Sequence, residues 1–435
     1  MWTHPGVRTH QESHQDRLIT GSNDRPTPWR YSDHAGDPDA RPPEVASIDE
    51  SEDVDHVLTD LQDAIAHGDL HDVAALVDHL GRATQRFPQR WLELLRDALR
   101  EGRWDGLSAA FAAREFIGPR GDVLLLGRYR QQRDGVDHDV LSMLCGRLKP
   151  RVDLGHVAAV SEDLFGHPPQ NPPEAIGIEV SHAAGAVGGA GGEAFVVPDG
   201  WGWTESHRGP AFNDMTEQRK RFGDAMECIK RILDEPTAAL LTGLVGGVDG
   251  MVEAAAMEYG LHDAAGHGNG IHLSEKLGGG HLPNATYCGF EEFRADGVAL
   301  EVAGRMFGPE RAGRIAASNT IVRLGLDAHR LGGLDADTDA QCTLLHFHHL
   351  LESGLLAIEG STGRLTLARH DAPTLWRAFK PQRDLAIRVT QCELGLKKPA
   401  GLSWLYATHF NVPASSRHIF QEKVVAPCLG VHSLK

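Results

Sequence analysis

Residues 237–257, TAALLTGLVGGVDGMVEAAAM, are apolar almost all the way round, the mark of a helix with no face left for water. Such a helix has to run through the middle of a core. The chain must therefore be large enough to surround it, and 435 residues with 41% hydrophobic side chains suffice for two or three lobes. The apolar run leads directly into His262-Asp263-Ala264-Ala265-Gly266-His267. Chemistry placed at the end of a buried helix is held rigidly, as a metal site needs.

His262 and His267 are five positions apart, which on a regular α-helix leaves their side chains about 140° out of alignment. One extra residue per turn, a π-bulge, restores a common face, and such bulges concentrate at functional sites. Gly266 permits it. Further on, Glu291-Glu292-Phe293-Arg294-Ala295-Asp296 runs into Val298, Ala299, Leu300, Val302 and Met306 at helical spacing, so that Glu292 and Asp296 share a face. Two imidazoles and one carboxylate leave a fourth position open for water, which is the composition of catalytic rather than structural zinc. Asp263, inside the first motif, would take the proton of that water.

The pair HDAAGH and EEFRAD resembles the two signatures of the dipeptidyl peptidase III family of zinc metallopeptidases, a His-Glu-x-x-Gly-His helix and a downstream Glu-Glu-Cys-Arg-Ala-Glu helix. The resemblance implies His262, His267 and Glu292 as ligands of Zn2+, Asp263 as the water-activating acid, and Glu291 and Asp296 as carboxylates supporting the ligands. Gly268-Asn269-Gly270 and the later stretch HHLLESGLLAIEGSTGRLTL are also similar to the family, so that the likeness extends over about residues 259–380. In this chain the acid of the first motif is one methylene shorter. No histidine stands near Asp339, where the family places its oxyanion-stabilising one, and His346, His348 and His349 are expected to point elsewhere.

Other chemistries share these residues. Two histidines and a carboxylate are also the triad of non-haem Fe(II) oxygenases. His262-Asp263 alone suggests an HD-type phosphohydrolase, although the upstream histidine and distant aspartate of such a site have no assignable counterpart. A non-catalytic binding protein derived from a metallopeptidase is a further alternative. His272 and His281 compete as ligands but read better as loop histidines.

A net charge of −17 disfavours nucleic acid as a partner. Six scattered cysteines without a Cys-x-x-Cys pair indicate neither a disulfide framework nor a thiolate zinc site, and fit a cytoplasmic setting. The first residues lack an apolar signal core, and nowhere do 18 apolar residues run together, so no membrane is expected. The partner is a small-molecule or short peptide substrate.

The fold class expected is mainly α with minor β, in two lobes, the helical metal-binding one resembling the zinc lobe of dipeptidyl peptidase III. Residues 1–50, dense in His, Asp and Pro, read as a disordered tail. Residues 51–165 form an N-terminal helical lobe: Val54 to Ile65, Leu70 to Leu80 and Trp91 to Leu99 show three-and-four spacing, and Val140 to Leu148 adds a fourth helix. Residues 166–435 form the metal-binding, catalytic-like lobe. Its entry, residues 166–212, is rich in Gly and Pro and carries Trp201 and Trp203, as hinge or functional loops are. A helix that begins near Asn213-Asp214, with Glu217 in the capping-box position, follows and stops before Pro236. Pro309 opens a helix through Arg330, Thr343 to Leu351 forms another, and Ala357–Glu359 with Arg364–Leu367 reads as a β-hairpin.

Overall fold

The computed structural model of the chain describes residues 51–133, 136–170, 172, 174–187, 195–196, 210–278, 280–330, 333–360, 362–368, 371–396 and 399–429. The tail 1–50 and the segment with Trp201 and Trp203 lie outside the described residues. The fold is mainly helical, with a five-stranded sheet and a small hairpin, in two lobes with separate principal cores.

The first core is built by helices α1 (Ser51–His67), α2 (Leu70–Ala83), α3 (Gln89–Glu101) and α4 (Asp105–Ala112). Their apolar stripes, Val57, Leu61, Val73, Val77, Trp91 and Leu95 among them, are buried against a sheet. Trp91 shows how the layers are joined, since its indole N–H donates to the Leu124 carbonyl at 2.6 Å. The sheet contains β1 (Asp122–Arg133), β2 (Val136–Leu148), β3 (Ala175–Ala184), β4 (Phe195–Val196) and β5 (Ala211–Asp214). Its order is β1-β2-β3-β5-β4, antiparallel except for the β3–β5 pair. Helix α5 (Leu154–Phe165) bridges β2 and β3 in the chain, capped by Asp153 at its start and by left-handed Gly166 at its end.

The expected fourth helix is therefore strand β2. Val140 to Leu148 is a short apolar run of the kind whose period cannot distinguish strand from helix. Tertiary pairing decides it: Met143, Leu144 and Cys145 face Leu126, Leu125 and Leu124 on one side, and β3 closes the other.

The second core surrounds α10 (Ala285–Gly325). Before it come α6 (Met215–Ile232), α7 (Glu235–Val245), α8 (Gly247–Leu261) and α9 (Leu273–Gly278). After it come α11 (Gly333–Ala336), α12 (Thr338–Glu352), the hairpin β6 (Leu356–Ile358) and β7 (Leu365–Leu367), α13 (Ala372–Ala378), α14 (Lys380–Leu394), α15 (Leu402–His409) and α16 (Ala414–Phe420). The Asp214 cap is in place, its carboxylate accepting from the amides of Thr216 and Glu217. The apolar run from Thr237 is two helices rather than one, because Gly246 and Gly247 both adopt positive φ and break it. Pro236 opens the first of these instead of closing α6, its missing N–H costing nothing in the first turn. In α10 the backbone breaks at Gly308, φ 78°, immediately before Pro309. No single helix among the described residues is long and apolar enough to cross a membrane.

Candidate metal centre

At Leu261 the α-helical ladder of α8 gives way to a π-turn over His262–His267. The Gly268 amide donates to the Asp263 carbonyl, five residues back, at 3.1 Å. The wider turn brings the two imidazoles together, with ring centroids 4.6 Å apart at 85°. Gly266 serves this turn by close approach. A Cβ there would stand 2.7 Å from the Cβ and 2.8 Å from the carbonyl oxygen of Ala295, so the π-turn rests directly on α10.

Asn284 caps α10 and accepts from the amides of Thr286 and Tyr287. From this helix Glu292 faces both histidines: His262 Nε2 is 3.0 Å from Glu292 Oε2, and His267 Nε2 is 3.5 Å from Oε1. One ligand atom from each of the three residues lies within 4.8 Å of the others, and all three residues are buried. The opposite ring nitrogens are held separately. His262 Nδ1 donates to Asp296 Oδ1 at 2.7 Å and His267 Nδ1 to Glu291 Oε1 at 3.0 Å. Donation from Nδ1 leaves Nε2 as the ligand atom, and carboxylate partners of this kind orient metal-binding imidazoles and raise their basicity. The EEFRAD helix thus supplies Glu292 toward the ligand atoms and Glu291 and Asp296 behind them.

Each carboxylate is anchored in turn. Glu291 receives the Arg294 guanidinium, at 2.6 Å to Oε1 and 2.9 Å to Oε2, together with Lys276 Nζ at 2.6 Å and the Tyr406 hydroxyl. Lys276, Arg294 and Tyr406 also reach Glu393, at 2.8, 3.1 and 2.6 Å. Arg294 additionally donates to the Gly266 carbonyl at 3.0 Å, tying the π-turn to the same network. Asp296 Oδ2 accepts from Arg323 and, at 2.7 Å, from His346 Nε2. Arg323 continues to Asp327 and Asp339. So His346 supports Asp296, and Asp339 is part of the arginine network.

Electrostatics follow this geometry. Burial is the largest influence on His262 and pulls its pKa down, but hydrogen bonds and charge from Asp296 and Glu292 outweigh it and leave the pKa well above the usual value. Burial likewise pushes Glu291, Glu292 and Asp296 upward. Arg294 and Lys276 reverse this for Glu291, the histidines for Glu292, and Arg323 with His262 and His346 for Asp296, leaving all three well below the carboxylate range. The group is a buried pair of bases facing an anionic carboxylate. His267 Nε2 is buried and has no hydrogen-bond partner among the described residues. A small cation among the two Nε2 atoms and Glu292 would satisfy it, and the donor set, two neutral nitrogens and one carboxylate, fits Zn2+.

A cavity adjoins these residues where the sheet lobe, through Ala175 and Asn213, meets α8 and α10. Asp263 and Glu258 line it beside His262 and Glu292. Glu258 is buried, accepts from Asn319 at 3.3 Å, and has its pKa pushed up to about 7, by burial first and then by the charge of Asp296. Sequence reasoning missed Glu258, although it stands four residues before His262 and so on the same helix face. It also missed Lys276, Glu393 and Tyr406, for which no local pattern exists. Neither His272 nor His281 belongs to a converging group of ligand atoms among the described residues.

A family model described as "Family of unknown function (DUF6014)" matches residues 45–329. No curated protein matches the chain. Among solved structures, the fold is similar to a dipeptidyl peptidase III from Caldithrix abyssi, with a TM-score of 0.57 and 12% identity over 82% of this chain and 69% of that one. A dipeptidyl-peptidase III from Corallococcus sp. strain EGB gives a TM-score of 0.48 and 14% identity over 84% and 70%. At this level of identity the likeness to the Caldithrix abyssi protein is one of fold.

Proposed function

We propose that this chain, which belongs to the DUF6014 family of unknown function, is a zinc-dependent hydrolase acting on a peptide, amide or related carbonyl substrate. The observation that carries the reading is the convergence of His262 Nε2, His267 Nε2 and Glu292, with each Nδ1 held by its own carboxylate. His262, His267 and Glu292 would hold the ion, and Glu291 and Asp296 would orient the rings. A zinc ion bound there supplies Lewis acidity to the substrate carbonyl and to water.

The chain's own groups do the rest. Asp263, on the cavity wall beside His262 and Glu292, takes the proton from the attacking water and returns it to the leaving amine. The cavity between the lobes binds a small molecule or short peptide and separates the reaction from bulk water. No disulfide joins any of the six cysteines, which agrees with a cytoplasmic site of action.

The test is hydrolysis of short peptides, acyl-amino acids and small amides by the untagged, zinc-loaded chain. Turnover should vanish on chelation and return when Zn2+ is restored. Oxygen uptake that requires Fe(II) and is not supported by Zn2+ would assign the triad to an oxygenase. Absence of turnover on every substrate would make the cavity that of a binding protein.

A further inference from the structure

A second group of ligand atoms shares no residue with this centre, and the hydrolase reading makes no use of it. Cys228 comes from α6, His329 from the 3-10 turn Asp327–His329 after α10, and Cys428 from the 3-10 turn Ala426–Cys428 near the C-terminus. Two sulfurs and one imidazole nitrogen from these residues lie within 4.8 Å of one another. Both cysteines are buried in the second core, while His329 is partly exposed. We propose that Cys228, His329 and Cys428 bind a thiophilic d10 cation, Zn2+ in the first instance, and that this ion ties the C-terminal segment to α6 and to the end of α10.

Three features support the assignment. A tetrahedral zinc ion with bonds of about 2.3 Å to sulfur and 2.0–2.1 Å to nitrogen places its ligand atoms roughly 3.5–3.8 Å apart, so from an upper spacing of 4.8 Å the cluster needs to contract by no more than about 1.3 Å. His329 Nε2 lies 3.1 Å from the Leu324 carbonyl. A carbonyl can only accept, so Nε2 carries the proton and the lone pair belongs to Nδ1, the arrangement in which a backbone carbonyl fixes a metal-binding imidazole. The donor set also discriminates, because thiolate and imidazole select Zn2+ or Cu(I) over the hard cations that carboxylates prefer. Without an ion, the hydrogen bond to Cys428 and then burial push the Cys228 thiol up. An entering cation reverses this: as two metal–sulfur bonds form, each thiol loses its proton, and two protons leave to solvent for each divalent ion bound. The partial exposure of His329 lets water complete the coordination.

The two centres are separable by experiment. The probe is Co2+, titrated into the reduced, untagged full-length chain carrying His262→Ala, which disables the first centre. The expected result is an intense near-ultraviolet sulfur-to-cobalt charge-transfer band that saturates at about one equivalent and disappears when Cys228→Ser or Cys428→Ser is added. In the His262→Ala chain, Zn2+ should displace the cobalt and raise Tm, a readout that does not depend on the serine variants folding. A chain with all thiols reduced that shows no such band, or a band unaffected by either serine substitution, overturns the proposal. So does a Cys228–Cys428 disulfide found by mass spectrometry in protein purified under reducing conditions, since the sulfurs would then be joined to each other.

Discussion

Replacing Arg294 with methionine should lower the unfolding free energy by about 3–5 kcal/mol, the usual cost of removing one partner from a buried ion pair. Arg294 is fully buried and contacts Glu291 at 2.6 Å and Glu393 at 3.1 Å. Without it, two buried carboxylates share the single ammonium of Lys276. Methionine fills much of the same space, so packing loss is the smaller part of the effect. Arg294→Met also removes the 3.0 Å bond to the Gly266 carbonyl, which should loosen the π-turn. The pH dependence has a definite sign. Burial pushes Glu291 upward, but Arg294 and Lys276 hold it well below the carboxylate range. In wild type its contribution is therefore present above the unfolded pKa of about 4.3 and lost as pH falls through the lower folded value. In the variant Glu291 can accept a proton at higher pH, so the stability gap should be widest near neutrality and narrow as the solution is acidified. Denaturation curves at pH 7 and pH 4 measure this. A variant within about 0.5 kcal/mol of wild type at pH 7, the range of an ordinary surface change, would show that Arg294 does not hold the cluster together.

Asp263→Asn should lower kcat by about 10²- to 10⁴-fold, the contribution expected of a positioned general base, and leave zinc content unchanged. The substitution keeps the size of the side chain and removes its basicity. Asp263 lines the cavity with Glu258, His262 and Glu292. Its carboxylate is one methylene shorter than the glutamate in the motif it resembles, and displacement of a reacting group by about 1 Å can cost 10²-fold. Wild-type turnover that Asp263→Asn loses would show that the π-turn brings Asp263 close enough for the step. Undiminished turnover by Asp263→Asn would remove Asp263 from that role and direct attention to Glu258, whose carboxyl burial pushes up to about 7 on the same cavity wall.

The convergence of His262, His267 and Glu292 was legible because its pattern is local. Five-residue histidine spacing with glycine at the fifth position calls for a widened turn, and the structure has a π-turn over His262–His267. Likewise, Glu291, Glu292 and Asp296 lie on a helix whose period places them against the two rings. The hairpin of Leu356–Ile358 with Leu365–Leu367 followed from its turn residues. The groups that complete the network were not legible. Tyr406 is 115 residues from Glu291, and Glu393 is 122 from Ile271, whose amide it receives, so only tertiary packing brings them in. Strand β2 was misread for a related reason: Met143, Leu144 and Cys145 acquire strand character from partners on β1 and β3.

Metal analysis of untagged protein, with X-ray absorption at the zinc edge, tests most directly whether His262, His267 and Glu292 hold a zinc ion. His262→Ala and His267→Ala should each remove about one equivalent of zinc relative to wild type, and the zinc lost should be the species with nitrogen and oxygen ligands at about 2.0–2.2 Å. If both variants kept the zinc content and the absorption spectrum of wild type, the assignment would be contradicted.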